Sequence, residues 1–417
     1  MGIYRSTDPT VWDDVDGIII NEVAPPPSVG GVPANIAIMV GQFQRGPVNE
    51  LIEVGSLGEV YENLGNDISY KGQIALQNKR FGALKLLRVA ASDAAKATQE
   101  FASSATDRIS FTAKYLGVYG NLITVKIESG STAGKKHTIH DGNSNAVWPD
   151  EVYDNVEITA VGDTFASSKL VDAAVLSTAA EPSNASATAL ASGSDGTIAD
   201  TDYQAGILAQ EIEAAGNVLF LDDYNATRNG YLKVSMASTT DRMVVLCGAA
   251  GDSVATAVTS VASYRDTDGR IIYAFPYVYT TIAGVKTKVN PCSFYAALLS
   301  QLAPNIDPAW SGNAQYLAGI TSLELTLSRG NYISLLAAGI SALENDSDIG
   351  IKVKSGVVTQ IANRGKIMIH RRRMADYLTY SIAKFLKNYQ DGINSVEKQE
   401  EAVSAVVNFN RNMEDVK

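Results

Sequence analysis

The sequence predicts a multidomain protein of mixed α+β and α/β class. Its α/β core domain is built from N-terminal and C-terminal parts of the chain and carries an inserted β-rich outer domain. Three observations predict this. The chain has 417 residues, and at roughly 150 residues per domain that makes room for two or three. Between about 202 and 276, apolar runs alternate with helix-length segments, the pattern of parallel strands joined by crossovers. Between about 95 and 200, Ser, Thr, Ala, Gly and Asn dominate, and short β-like pieces are parted by turn residues.

Element by element, residues 1–17 read as a polar arm without periodicity. GIIINEV (17–23) follows as a strand, and APPPSVGGVP (24–33) as a stiff polyproline-like connector. NIAIMVGQF (35–43) is a short apolar run bounded by turn residues, hence a buried strand, and QRGPVNE is a turn. Ser56 and Glu59 stand at capping-box spacing and open a short helix ending at Gly65. Residues 70–81 read as a helix closed by Gly82, and ALKLLRVA (83–90) as a strand.

In the insertion the strand pieces are RISFTAKY, NLITVKIES, KKHTIH and EVYDNVEITAV, and DGTIADTDYQ (195–204) closes it with a turn. Helix DYQAGILAQEIEAA, strand NVLFLD, helix TRNGYLKVSMAST, strand MVVLCG, helix DSVATAVTSVASYR and strand IIYAFP then alternate. Residues 291–345 read as mostly helical, and KSGVVT (354–359) and GKIMIH (365–370) as strands. Residues 371–390 form a long amphipathic helix with Leu378, Ile382, Phe385 and Leu386 on one face, and 395–413 a last helix. The predicted divisions are an arm over 1–22, core over 23–94, the insertion over 95–200, a parallel-sheet part over 201–290 and a C-terminal core part over 291–417.

Composition narrows the function. The formal net charge is −11, which disfavours a surface that grips nucleic acid. Only 19% of residues are charged; that, with many small residues, fits a chain that buries surface against copies of itself. No apolar run approaches the roughly 18 residues of a membrane span, and the start, MGIYRSTDPTVWDDVDG, has no apolar signal core. Cys247 and Cys292 are isolated thiols, not a disulfide framework.

Candidate catalytic chemistry is thin. Of the three histidines, His137 and His140 fall at odd spacing on a strand and so face opposite sides, which argues against a shared metal. Gly41 and Gly46 imitate a phosphate loop, but Pro47 and Val48 stand where Lys and Ser or Thr are required. Gly251-Asp252-Ser253-Val254-Ala255 imitates a nucleophile elbow, which makes a serine hydrolase using Ser253 one alternative; a helix cap is the ordinary role for such a serine. Asp222-Asp223 after a strand could hold magnesium or simply cap and face water. One charge feature stands out. From Asn363 to Asn388 there are seven basic residues and one acid, Asp376, and Arg371, Arg372, Arg373, Lys384 and Lys387 make a candidate docking patch for an acidic partner.

The punctuation of the chain is more informative. GVPANIAIMVGQFQRGPVNELIEVGSLGEVYENLG (31–65) resembles the N-terminal segment of contractile tail sheath proteins in its Gly31-Val32-Pro33 start, its Val40-Gly41 strand end and its Gly46-Pro47-Val48-Asn49 turn. AKYLGVYGNLITVKI (113–127), SGSDGTIADTDYQ (192–204), AAGISALEND (337–346, with Ser341 where Asn is usual) and IMIHRRRMADYLTYSIAKFL (367–386) are similar to further segments of that family, in the family's order.

The resemblance implies a structural subunit of a contractile phage tail or tailocin. Such subunits form hexameric rings stacked as a helical sheath around an inner tail tube, and contraction drives the tube through the host envelope. Implied partners are further copies of the chain, the tail tube protein, and baseplate and tail terminator proteins, with no nucleic acid and no membrane insertion. No cofactor and no catalysis are implied, and the location is the virion tail, after synthesis in the host cytoplasm. The C-terminal part and its basic helix would face the tube, and the insertion would face outward. The family's extended C-terminal arm, which adds a strand to a neighbour's sheet, has no counterpart after Asn412, so this chain alone is expected to be largely monomeric. A host-binding adhesin, with the insertion as receptor face, is the other alternative.

Overall fold

The computed structural model describes residues 3–5, 18–20, 29–67, 69–71, 76, 79–104, 106–143, 148–212, 218–238, 242–309, 316–362, 365, 367–390 and 395–415. It divides into two compact units, Met1–Val32 with Tyr377–Lys417, and Pro33–Asp376.

In the smaller unit, β1 (Ile3–Arg5) pairs in parallel with β2 (Ile18–Ile20), so the expected featureless arm contains a strand. The long helix α8 (Ile369–Gln390) contributes its residues from Tyr377 onward, and α9 (Val396–Asp415) completes the unit. Phe385, Ala402 and Ala405 form its small core with Val29, Tyr389 and Val406. Val32 N–H donates to the Ser381 hydroxyl at 3.1 Å.

The larger unit is organised by an eight-stranded sheet. Its strands are β3 (Ile36–Gln42), β4 (Leu51–Val54), β5 (Ala83–Val89), β13 (Val218–Leu221), β14 (Met243–Cys247), β15 (Ile271–Phe275), β19 (Ser341–Asp346) and β20 (Gly350–Val353). They lie in the order β20-β19-β15-β14-β13-β3-β5-β4. The six inner strands are parallel, and the outer two, β4 and β20, run antiparallel to their neighbours.

Alternate residues of the six inner strands enter two different cores. Ile38, Val40, Leu87, Leu219 and Val244 pack with α3 (Asp200–Ala209), α4 (Ala226–Ser238), α5 (Val254–Val261) and α7 (Arg329–Ala338). Ala37, Met39, Leu86, Phe220 and Val245 pack with α1 (Leu57–Leu64) and α6 (Cys292–Gln301). Burial on both faces is why these strands are continuous apolar runs in the sequence. Gly206 lets α3 approach closely: a Cβ there would sit 2.9 Å from Val89 and 3.0 Å from Leu87.

Residues 95–200 begin and end beside one another, through bridges Ala95↔Ser194 and Thr98↔Ala191. Between them lie two antiparallel sheets. One has the order β10-β9-β8-β12, from β8 (Ile123–Ser129), β9 (Lys135–Asp141), β10 (Glu151–Val156) and β12 (Ala185–Ala189). The other is β11-β7-β6, from β6 (Thr98–Ser103), β7 (Thr106–Ala113) and β11 (Val171–Val175). Together with α2 (Val161–Phe165) they enclose a separate core that includes Phe111, Val125, Ile139 and Phe165.

Several elements differ from the sequence reading. β16 (Val278–Ile282) and β17 (Val285–Val289) form a hairpin with β18 (Ser322–Leu323) alongside. Its two-residue turn has positive φ at Ala283 (48°) and Gly284 (81°), the conformation that matches strand twist. The segment 291–345 is therefore only partly helical. Strands were expected over 354–359 and 365–370, but β20 lies earlier, the bridge Val357↔Met368 is the one pairing among the described residues there, and α8 begins at Ile369. α3 starts at Asp200, inside the expected turn. Half of the helix expected over 70–81 (residues 72–75, 77 and 78) lies outside the described residues.

Candidate docking surface

The expected basic patch begins where α8 enters the larger unit. Ile369 is fully buried, and that anchor decides which of the following arginines turn inward. Arg373 is 7% exposed. Its Nη2 donates to the carbonyls of Ala34 (3.0 Å), Leu299 (2.8 Å) and Leu302 (3.0 Å). The last two close the C-terminal end of α6, where unpaired carbonyls and the helix dipole both favour a cation. Burial lowers its pKa to about 10. Arg373 is thus an internal clamp and is removed from the patch.

Arg372 is taken up as well, bonded to Asp376 one turn later. Asp376 in turn receives a bidentate pair from buried Arg270, at 2.6 and 3.0 Å, so the lone acid of the basic stretch is a buried counter-ion. Arg364 and Lys366 lie outside the described residues.

Arg371, Lys384 and Lys387 are exposed. Lys384 and Lys387 are three apart and share a helix face, whereas 13 positions carry Arg371 roughly 220° around the axis from Lys384. Leu386, expected on the apolar stripe, is 42% exposed beside the two lysines. The buried side of α8 is instead marked by Arg373, Asp376, Ser381 and Phe385.

The catalytic look-alikes are absorbed by the fold. Ser253 is the N-cap of α5: its hydroxyl accepts from Thr256 N–H at 3.1 Å. His370, the sole histidine later in the sequence, lies against Asp307 at 3.6 Å. On β9, His137 is fully buried between Phe111 and Phe165, while His140 is exposed and pairs with Asp150 at 2.5 Å. Ser56 and Glu59 do cap α1, although the Glu59 carboxylate reaches the amide of Gly55 (2.8 Å).

The pair Asp222-Asp223 sits at a crevice of about 620 Å³. It lies past the carboxyl ends of β3, β5 and β13, where the strand order reverses, the usual place for a ligand in such sheets. Here the polar groups are turned on one another. Asp222 accepts from Gln42 N–H (2.9 Å) and the Tyr203 hydroxyl (2.8 Å), and burial raises its pKa to about 6. Asp223 pairs with Lys71. Arg228 pairs with Asp200 at 2.7 Å and lies over the Tyr203 ring.

The sequence reading passed over a further buried arginine. Arg45, in the turn after β3, donates to Asp141 at the end of β9 (3.2 Å), to Tyr119, and to the carbonyls of Tyr61 (3.1 Å) and Glu62 (3.0 Å). Trp148 covers its guanidinium at 3.9 Å. This single side chain ties the eight-stranded sheet, α1 and the β-rich segment together. Its one outward sign in the sequence is the neighbouring Gly46, which takes φ 108° and lies against Leu64.

Among the described residues no helix is long and apolar enough to cross a membrane. No protein-family model and no curated protein sequence matches the chain. Solved structures do. The sheath tail protein of Desulfitobacterium hafniense aligns with 96% of this chain and 89% of its own, at 17% identity and a TM-score of 0.69. That of Listeria innocua aligns with 91% and 85%, at 16% identity and 0.68. The helical sheath of the anti-feeding prophage in its contracted state aligns with 96% and 84%, at 12% identity and 0.57. Over nearly its whole length, the fold of this chain is that of tail sheath proteins.

Proposed function

We propose that the chain is the structural subunit of a contractile sheath, which polymerises as stacked rings around an inner tube and contracts to drive that tube through a host envelope. The observation that carries this reading is the extent of the likeness: 96% of the chain follows the fold of an injection-system sheath in its contracted assembly. A shared module could be borrowed for many tasks, but here the parallel sheet, the β-rich segment and the terminal helices are all matched together. A further matched chain comes from a baseplate structure, which supports a baseplate as a second partner. Tube and terminator proteins complete the proposed set, in a virion tail or a related machine.

In this reading the β-rich segment 95–200 is the outward domain, and the N-terminal and C-terminal parts of the chain are the inner one. Lys384 and Lys387, with Arg371 on another side of the helix, are the proposed tube-docking residues. Exposed ion pairs contribute only about 0–1 kcal/mol each. Repetition over every subunit makes their sum large, while each remains weak enough to exchange during contraction.

Negative-stain electron microscopy of the chain mixed with tail tube protein tests the proposal. Hollow striated cylinders are expected, and their absence at every ratio and concentration would overturn it. Lys384→Glu with Lys387→Glu should leave the subunit folded and abolish assembly on the tube; undiminished assembly would remove these lysines from the interface.

A further inference from the structure

We propose, resting on the reading of the chain as a sheath subunit, that the outer side of the helical layer α3, α4, α5 and α7 is the face on which the next copy docks. These four helices pack on one face of the eight-stranded sheet, and their far sides are turned to solvent. Leu208 is 53% exposed there, Val234 67%, Ile333 61% and Leu336 49%. Among the described exposed residues of the four helices, Arg329, the first residue of α7, alone is charged. About a quarter to a third of an ordinary soluble surface is charged, and α9 of this chain exposes Glu397, Lys398, Glu400, Glu401 and Arg411.

The polar groups that the layer does contain are already spent. Arg228 pairs with Asp200 at 2.7 Å, half-buried Lys233 donates to the Ser263 carbonyl at 2.7 Å, and the Asp202 carboxylate accepts from Ala199 N–H at 2.8 Å. The exposed hydroxyls are turned back on their own backbone: Thr259 donates to the Ala255 carbonyl (3.0 Å), Ser263 to that of Ser260 (2.7 Å) and Ser334 to that of Gly330 (3.1 Å). A partner covering this face strips water from apolar atoms and from hydroxyls that keep their bonds, which is favourable. Away from Arg329 at the margin it leaves no charge unpaired, which is where the cost of burial lies.

Size and charge together point to a copy of the chain as the occupant. The helices have 8 to 13 residues, so they are about 15 Å long. Set about 10 Å apart, four of them span roughly 600 Å² in plan, and their corrugation raises the accessible area toward the roughly 800 Å² per partner of a stable interface. Each copy carries a formal charge of −11, so copies repel on most approaches, and an uncharged face is where they meet at least cost. A strongly charged partner would find nothing here to pair with, and an anionic bilayer repels the chain. In a helical polymer the face meets a different surface of the next copy, so the contact does not close on itself.

Sedimentation of the full chain, alone at rising concentration and mixed with tail tube protein, reads the contact, with electron microscopy of the same samples. Val234→Glu with Ile333→Glu puts two carboxylates on the face at exposed positions. The melting temperature should hold while association weakens at least tenfold. Val152→Glu with Leu176→Glu adds the same charge at exposed positions of the β-rich segment and should weaken association less than twofold. Cys247 and Cys292 are buried, so in Leu336→Cys the reaction with iodoacetamide reports on position 336, and it should slow at least tenfold in the associated chain. Association that the first pair leaves unchanged, that the second pair weakens equally, or that leaves position 336 reactive overturns the docking face and leaves the sheath reading standing. Association that meets all three expectations without forming cylinders keeps the face and overturns the sheath reading. No association at any concentration, with or without tube protein, overturns both.

Discussion

The eight-stranded sheet and the β-rich segment each bury a titratable group whose pKa is shifted by burial, and the two groups respond to acid in opposite senses. Asp222, beyond the end of β13, is 3% exposed, and burial lifts its pKa to about 6. His137, in the core of the β-rich segment, is fully buried with neither ring nitrogen hydrogen-bonded among the described residues, and burial, assisted by Lys135, lowers its pKa to about 4. A raised carboxyl pKa gives stability that is fully present below the unfolded value of about 3.9 and is lost as pH rises through 6. A lowered histidine pKa gives stability that is fully present above the unfolded value of about 6.5 and is lost as pH falls toward 4. Mild acid therefore tightens the sheet and loosens the segment attached to it. Two regions of one compact unit can thus be tuned separately if their cores do not merge.

Severing the joint between them has the largest expected effect. Arg45→Met strands Asp141 without its cation in a buried site, which costs about 3–5 kcal/mol. In urea, hydrogen exchange resolved by peptide should show the β-rich segment opening before the sheet. If both still open together, Arg45 is not the coupling element.

The acid response of the β-rich segment comes next. Between pH 7.5 and pH 5 it should lose about 2 kcal/mol, since pH 5 lies about 1.5 units below the unfolded histidine pKa. His137→Leu should flatten that loss, and a variant that loses as much as the parent chain would place the acid sensitivity elsewhere. Over the same interval the sheet should gain about 1 kcal/mol as Asp222 takes up its proton below its folded pKa. Asp222→Asn should abolish the gain, with urea midpoints at the two pH values as the measurement. The smallest effect belongs to Ser253→Ala, which removes the cap of α5 and should cost about 1 kcal/mol at either pH. The proposed sheath assembly should be untouched, and a loss of assembly would give Ser253 a role beyond its helix.

How much could be read in advance follows the same division. β3, β5, β13, β14 and β15 were legible because strands buried on both faces must be apolar throughout, and the helices between them left no other pairing. The β16–β17 hairpin was not, because Ala283 is a poor advertisement for a positive φ and the segment stands within a parallel pattern. In α8 the sequence shows a basic run, and neither periodicity nor charge distinguishes Arg373 from Arg371. The difference is made by the carbonyls of Leu299 and Leu302, some seventy positions away. Arg45 was hidden for the same reason: its partners lie in α1, in the stretch Val118–Leu122 and in β9, and only the fold brings them together.

The reversed outer strands of the eight-stranded sheet bear on a hazard that the proposed polymer, repeating one geometry many times, would face. β4 and β20 are four residues each. Glu53 and Lys352 hold charge on them, and a bridge from Tyr316 to Lys352 lies along β20. Brief, charged or covered margins are poor templates for stray pairing. Subunits crowded by the hundred would be denied the growth of ribbon by ribbon that ends in amyloid, and the contacts that remain available would be the ones a regular polymer can use.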